Sequence, residues 1–138
     1  MTRPAIDRIA PFFIVSSVED ALAFYRNRLG FEVTFQEPAQ DPFFAIVSRD
    51  GAMLVLKAVG VDPAPNPTRH PDARWDAYLS APDPDSLAAE FSSRRVTFSM
   101  PLQDSHDGLR GFELQDADGY VLFFGRPRSN AQGDAAQA

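Results

Sequence analysis

The chain has no cysteine, which excludes a disulfide framework, a thiolate nucleophile and a thiolate metal site. Imidazole is scarce as well, with His70 and His106 as its only sources. No helix carries two histidines at i and i+4, no glycine-rich phosphate loop occurs, and no Gly-x-Ser-x-Gly elbow is present. Basic residues are outnumbered by acidic ones, 13 against 19, for a net charge of -6. Without Lys and Arg clusters this argues against a nucleic-acid partner and favours cationic ligands. No run approaches the roughly 20 apolar residues of a membrane span. The segment Met1 to Arg8 also lacks the apolar core of a signal peptide. The expectation is a cytoplasmic protein with no membrane partner.

What the sequence does contain is one unit written twice. Val18-Glu19-Asp20-Ala21-Leu22-Ala23-Phe24-Tyr25 recurs as Pro84-Asp85-Ser86-Leu87-Ala88-Ala89-Glu90-Phe91, an offset of 66. A hairpin-like stretch, Phe44 to Val55 through Asp50-Gly51, recurs as Phe112 to Phe123 through Asp118-Gly119, an offset of 68. Order and spacing are both kept, the mark of a duplicated supersecondary unit. In such a fold a ligand groove is expected where the copies face each other. At 138 residues, 44% hydrophobic and 23% charged, the chain suits one domain with a sizeable core.

Each copy reads as β-α-β-β-β. Arg8 to Val15 is an apolar strand, and Ser16-Ser17 offers an N-cap to a helix whose Leu22, Tyr25 and Leu29 share one face. Gly30 suits the left-handed C-terminal cap. Strands follow at Phe31 to Phe35, Phe43 to Ser48 and Ala52 to Val59. The second copy repeats this with a strand at Arg74 to Ser80, a helix from Asp83 to Arg94, a strand at Val96 to Ser99 and the hairpin Gly111 to Gly125. The expected organisation is a single domain over 1–128, with module one at about 7–59, a Pro-rich extended linker at about 60–73 and module two at about 74–127. Residues 129–138, polar and Ala/Gln-rich, read as a frayed tail.

Phe24-Tyr25 followed by Leu29-Gly30-Phe31, with Asp116-Ala117-Asp118-Gly119 later, resembles the F-Y, L-G-F and D-P-D-G signatures of the vicinal oxygen chelate superfamily. That superfamily includes glyoxalase I, extradiol dioxygenases, fosfomycin-resistance enzymes and bleomycin-resistance proteins. The similarity covers roughly residues 8 to 126. It implies an α+β fold in which two tandem β-α-β-β-β modules form a curled mixed sheet around a groove, with helices outside, usually in a homodimer.

The resemblance also implies where a metal would be held, on the first and last strand of each module. Those positions fall on Ala10, Val55, Asp76 and Phe123. Three of the four have no lone pair to give, and a catalytic divalent metal wants about three protein ligands. No metal and no cofactor are therefore expected. His106, flanked by Asp104 and Asp107, reads either as a metal or proton-transfer residue or as a solvated loop histidine.

If the ligand positions face inward, strand alternation puts Phe12, Ile14, Met53, Lys57, Tyr78, Ser80, Val121 and Gly125 on the same side. Phe13, Val15, Leu54, Leu56, Ala77, Leu79, Leu122 and Phe124 then face the helices. Such a groove suits an aromatic or apolar ligand fixed by a few charges. Asp76 is the natural anchor for a cation, with Lys57 or Arg110 as possible ion-pair partners. Trp75, beside Asp76, alternates to the opposite face and reads as a core or interface anchor as well as a site candidate. Gly108-Leu109-Arg110-Gly111-Phe112 is similar to the G-x-R-x-F segment of bleomycin-resistance proteins, with Asp107 where an aromatic residue usually precedes it.

The expected function is binding, without metal, of a small or medium aromatic or cationic molecule in a dimer groove, as in antibiotic resistance. The expected ligand contacts are Asp76, Val55, Phe123, Tyr78, Lys57, Phe12, Trp75, His106 and Arg110. The alternatives are a glyoxalase-like lyase or extradiol-type dioxygenase with a non-standard metal site through Asp76 and His106, or an interaction module whose groove is closed by its own side chains.

Overall fold

In the computed structural model, which describes residues 2–128, each β-α-β-β-β copy folds as a four-stranded sheet with a helix on one face. The expected tail 129–138 lies outside the described residues. The elements are β1 (Phe12–Ile14), α1 (Val18–Asn27), β2 (Glu32–Glu37), β3 (Phe44–Arg49), β4 (Ala52–Lys57), α2 (Asn66–Arg69), β5 (Ala77–Ser80), α3 (Pro84–Ser93), β6 (Phe98–Asp104), β7 (Leu109–Gln115) and β8 (Val121–Pro127). Two compact units result, one reaching Pro63 and one beginning at Ala64.

The first sheet has the order β1-β4-β3-β2 and the second β5-β8-β7-β6. The first and last strand of each unit pair in parallel and the others antiparallel. The helix between the first two strands of each unit makes that parallel pairing possible. No helix among the described residues is long and apolar enough to cross a membrane.

Both helices begin where their capping residues place them. Ser17 accepts from the Asp20 N–H at 3.1 Å, and Asp83 accepts from the Ser86 N–H at 3.1 Å. The Ser86 hydroxyl first, and then its N–H, hold the Asp83 carboxyl below the usual range. Pro84 at the first position of α3 gives up an N–H that has no helical partner anyway.

The aromatic signature of the first unit is a packing device. Tyr25 is fully buried and meets Phe24 and Phe31 edge-on, with ring centroids 5.5 and 5.6 Å away. Gly30 adopts a φ of 71°, which lets the Phe31 N–H reach back to the Tyr25 carbonyl.

Strand alternation follows the sequence pattern at most positions, although Ala77 and Leu79, expected in the core, are only half-buried. Phe13, Val15, Leu54, Leu56, Leu122 and Phe124 are buried in the cores, whereas Phe12 and Tyr78 are exposed. In the second unit Phe112 stacks on Phe98 and Phe124, and Phe91 of α3 packs edge-on against Phe112 and Phe124. The even-numbered residues of β7 and β8 from Phe112 to Phe124 thus line the α3 face, and the odd-numbered ones line the other.

Strand bounds differ from expectation, with β1 only Phe12–Ile14, β5 only Ala77–Ser80 and β6 reaching Phe98–Asp104, and two further features depart from it. The Pro-rich stretch 60–73 is not wholly extended, because Asn66–Arg69 forms the short helix α2. Pro67 suits its first turn, the Thr68 hydroxyl donates to the Pro65 carbonyl, and the Asp76 carboxylate accepts the Asn66 N–H. The hairpins are also not equivalent residue for residue. Val55 pairs with Ile46, whereas Phe123 pairs with Glu113. The offset of 68 holds for the last strand and falls to 67 for the one before it.

The extra residue sits in the second turn. There the Asp116 N–H bonds the Tyr120 carbonyl across Ala117-Asp118-Gly119, and Gly119 has a φ of 90°. Asp116 is buried, and its Oδ1 accepts the N–H groups of both Asp118 and Tyr120. This accounts for Asp and Gly at their places in the D-x-D-G pattern.

Candidate functional site

The face of the second sheet turned away from α3 carries the richest chemistry in either unit. Phe123 lies at its centre, 1% exposed, and two aromatic rings cover it. Trp75 stacks on it at 4.7 Å and 25°, and Tyr78 at 5.3 Å and 26°. Trp75 and Tyr78 also touch each other, 5.5 Å apart at 51°. Phe123 is therefore the floor of the site, and a ligand would meet Trp75 and Tyr78 first. Tyr78 remains 42% exposed.

Trp75 does not occupy the face that alternation predicts. β5 becomes regular only at Ala77, so the two-residue period does not extend back to Trp75. The ring turns instead to the side of Tyr78 and is fixed there by two polar groups. Its Nε1–H donates to Glu113 Oε2 at 2.9 Å, and the Arg74 guanidinium lies over the ring at 4.4 Å. Arg74 is paired in turn with Asp107 of the loop joining β6 to β7.

The Asp107 carboxyl is pulled down to about 2, first by the Ser105 hydroxyl and then by Arg74. The stability this contributes is complete above the ordinary value of 3.8 and is lost as pH falls toward about 2. Asp107→Asn is therefore expected to remove a change in Trp75 emission that the unmodified protein shows between about pH 4 and 2. A tryptophan fluorescence titration of both proteins checks this.

Asp76 does not point a free carboxylate at this face. Oδ1 accepts the Asn66 N–H at 2.7 Å and Oδ2 the Val121 N–H at 2.8 Å, while the Asp76 N–H donates to the Val121 carbonyl. Arg110, one expected partner, faces α3 instead. Arg110 forks onto Asp85 at 2.8 and 2.9 Å and reaches Asp104 at 3.1 Å, which raises its already high pKa further. These contacts tie α3 to β6 and β7. His106 is exposed in the 105–108 loop.

In the first unit, Phe12, Val55 and Lys57 share the sheet face opposite α1, in register with Ile46 and Phe44. Phe12 is 56% exposed there. The structure thus brings together Trp75, Tyr78 and Phe123 in one unit and Phe12, Val55 and Lys57 in the other. It sets Asp76 and Arg110 into structural bonds.

Glu113 is the residue that the sequence reading missed. Carrying the 68-residue offset through the whole hairpin matches Ile46 to Leu114, whereas the strand pairing matches it to Glu113. The three-residue turn at Ala117-Asp118-Gly119 was the available signal.

The donor set does not fit a metal of the kind the superfamily chelates. Ala10, Val55 and Phe123 offer no lone pair, and both Asp76 oxygens already hold backbone N–H groups. Among the described residues no three His, Cys, Asp or Glu side chains cluster as a metal site.

The fold and this face define a duplicated β-α-β-β-β protein whose second sheet presents stacked rings beside a carboxylate. The model of the Glyoxalase/Bleomycin resistance protein/Dioxygenase superfamily matches residues 5–124, and the chain belongs to that superfamily. Among solved structures it is similar to a bleomycin-binding protein complexed with bleomycin, at 22% identity and a TM-score of 0.68, over 89% of this chain and 100% of that one. It is also similar to TnmS3, an antibiotic binding protein from Streptomyces sp. CB03234, at 23% identity and a TM-score of 0.65, over 91% and 99%. TioX from Micromonospora sp. ML1 matches at 18% identity and a TM-score of 0.69, over 87% and 98%. No curated protein matches the sequence.

Proposed function

We propose that this chain binds a small or medium organic molecule with an aromatic part, without a metal, and acts by sequestering it. The observation that carries the reading is the Trp75-Tyr78-Phe123 stack, with Phe123 sealed beneath and Tyr78 left 42% exposed. Stacked rings offer a flat apolar surface that needs no catalytic group to hold a ligand. The antibiotic ligands of the bleomycin-binding protein and TnmS3 support the same ligand class. Binding within a homodimer, as the superfamily resemblance implies, belongs to the same proposal. Light scattering tests it, with a mass about twice 15.2 kDa expected.

Trp75 is the sole tryptophan, so its emission reports on the site directly. Titration with bleomycin and with planar aromatic antibiotics is expected to quench it saturably. Tyr78→Ala is expected to weaken the best of these ligands by roughly threefold to tenfold, the scale of one aromatic contact. An unquenched Trp75 throughout the series would remove the proposal.

A further inference from the structure

Glu113 has a carboxylate that the fold does not require. In the first unit the equivalent place, opposite Val55, is taken by Ile46, so an apolar side chain satisfies the same sheet position. Glu113 is half-buried beside the ring stack, with Oε2 accepting the Trp75 Nε1–H. Among the described residues Oε1 has no hydrogen-bond or ion-pair partner. The nearby cations do not neutralise it, since Arg74 is matched by Asp107, and Arg110 is matched by Asp85 and Asp104 on the other face.

From this geometry we infer that Glu113 selects for a positively charged nitrogen carried on a flat aromatic ligand, the rings of Trp75 and Tyr78 holding the plane and Glu113 Oε1 the charge. The inference rests on the binding role proposed for the same face and specifies its ligand class. A half-buried carboxylate beside aromatic surface discriminates by charge, because a neutral isostere leaves it unpaired. The ring stack alone takes both cationic and neutral planes. The net charge of -6 draws cations toward the protein in the same sense.

The test compares two flat tricyclic probes, cationic proflavine and neutral acridone, by anisotropy of probe fluorescence. The proteins are the unmodified full chain and Glu113→Gln, which keeps an oxygen acceptor for the indole N–H. Proflavine is expected to bind the unmodified protein more tightly than acridone. It should lose about tenfold in Glu113→Gln and weaken with added salt, while acridone is unchanged and so confirms an intact ring stack. Equal losses for both probes, or no loss for proflavine, would overturn the role of Glu113 and leave the binding role standing. Failure of both probes to bind the unmodified protein would overturn the binding role and this inference together.

Discussion

Asp76→Ala is expected to destabilise the protein by about 2–4 kcal/mol, the scale for leaving two partly buried backbone donors without a charged acceptor. The Asn66 and Val121 N–H groups lose their partner oxygens at 2.7 and 2.8 Å, and two elements come loose at once. Asn66 opens α2, and Val121 opens β8, the strand that carries Phe123. Asp76→Asn is expected to fall between the two proteins, since one oxygen still accepts and the new amide opposes the other donor. A urea unfolding midpoint, with hydrogen exchange of the Asn66 and Val121 amides, reads the effect. An unchanged midpoint combined with lost ligand binding would instead return Asp76 to the role of ligand anchor.

That expectation reverses what the sequence suggests for Asp76. An acid at a superfamily ligand position, among apolar neighbours, reads as a site residue. Its actual partners lie 10 and 45 positions away in the chain. Backbone donors leave no composition signal, so only the folded chain reveals them. Local signals fared better, because they rest on local physics. Ser17 caps α1 where the sequence offers a cap, and alternation sorted Phe13, Val15, Leu54, Leu56, Leu122 and Phe124 to the cores. The same alternation failed at Trp75, where the strand had not yet begun, and Glu113 carried no signal because one extra turn residue shifts the match between the hairpins. The aromatic part of the candidate face was thus legible, with Tyr78 and Phe123 placed correctly on one side. Its polar part depended on a turn length and on long-range bonds.

Gly111→Ala and Gly125→Ala are each expected to destabilise the protein by about 3 kcal/mol, the upper range of overpacking. The reason is steric and not conformational, since neither glycine is among those with positive φ. Gly111 and Gly125 face each other across β7 and β8, and the Phe123 ring lies against both. A Cβ on Gly111 would sit 2.3 Å from the Phe124 carbonyl oxygen and 2.5 Å from Phe123 Cζ. On Gly125 it would sit 2.4 Å from the Arg110 carbonyl oxygen and 2.7 Å from Phe123 Cε2. The ring can swing away, but the carbonyls move only if the ladder opens.

Phe123→Ala separates these two contributions. Alone it removes a fully buried ring and is expected to cost about 3–5 kcal/mol. Combined with Gly111→Ala it should cost less than the sum of the single changes by about 1 kcal/mol or more, because the ring that the new methyl strikes is gone. The remainder measures the carbonyl contact. In both glycine variants Trp75 emission should shift, because the ring beneath it is displaced. Additive losses with unchanged emission would mean that Phe123 does not lie on the glycine pair. The ring stack would then lose the floor that sets its height above the sheet.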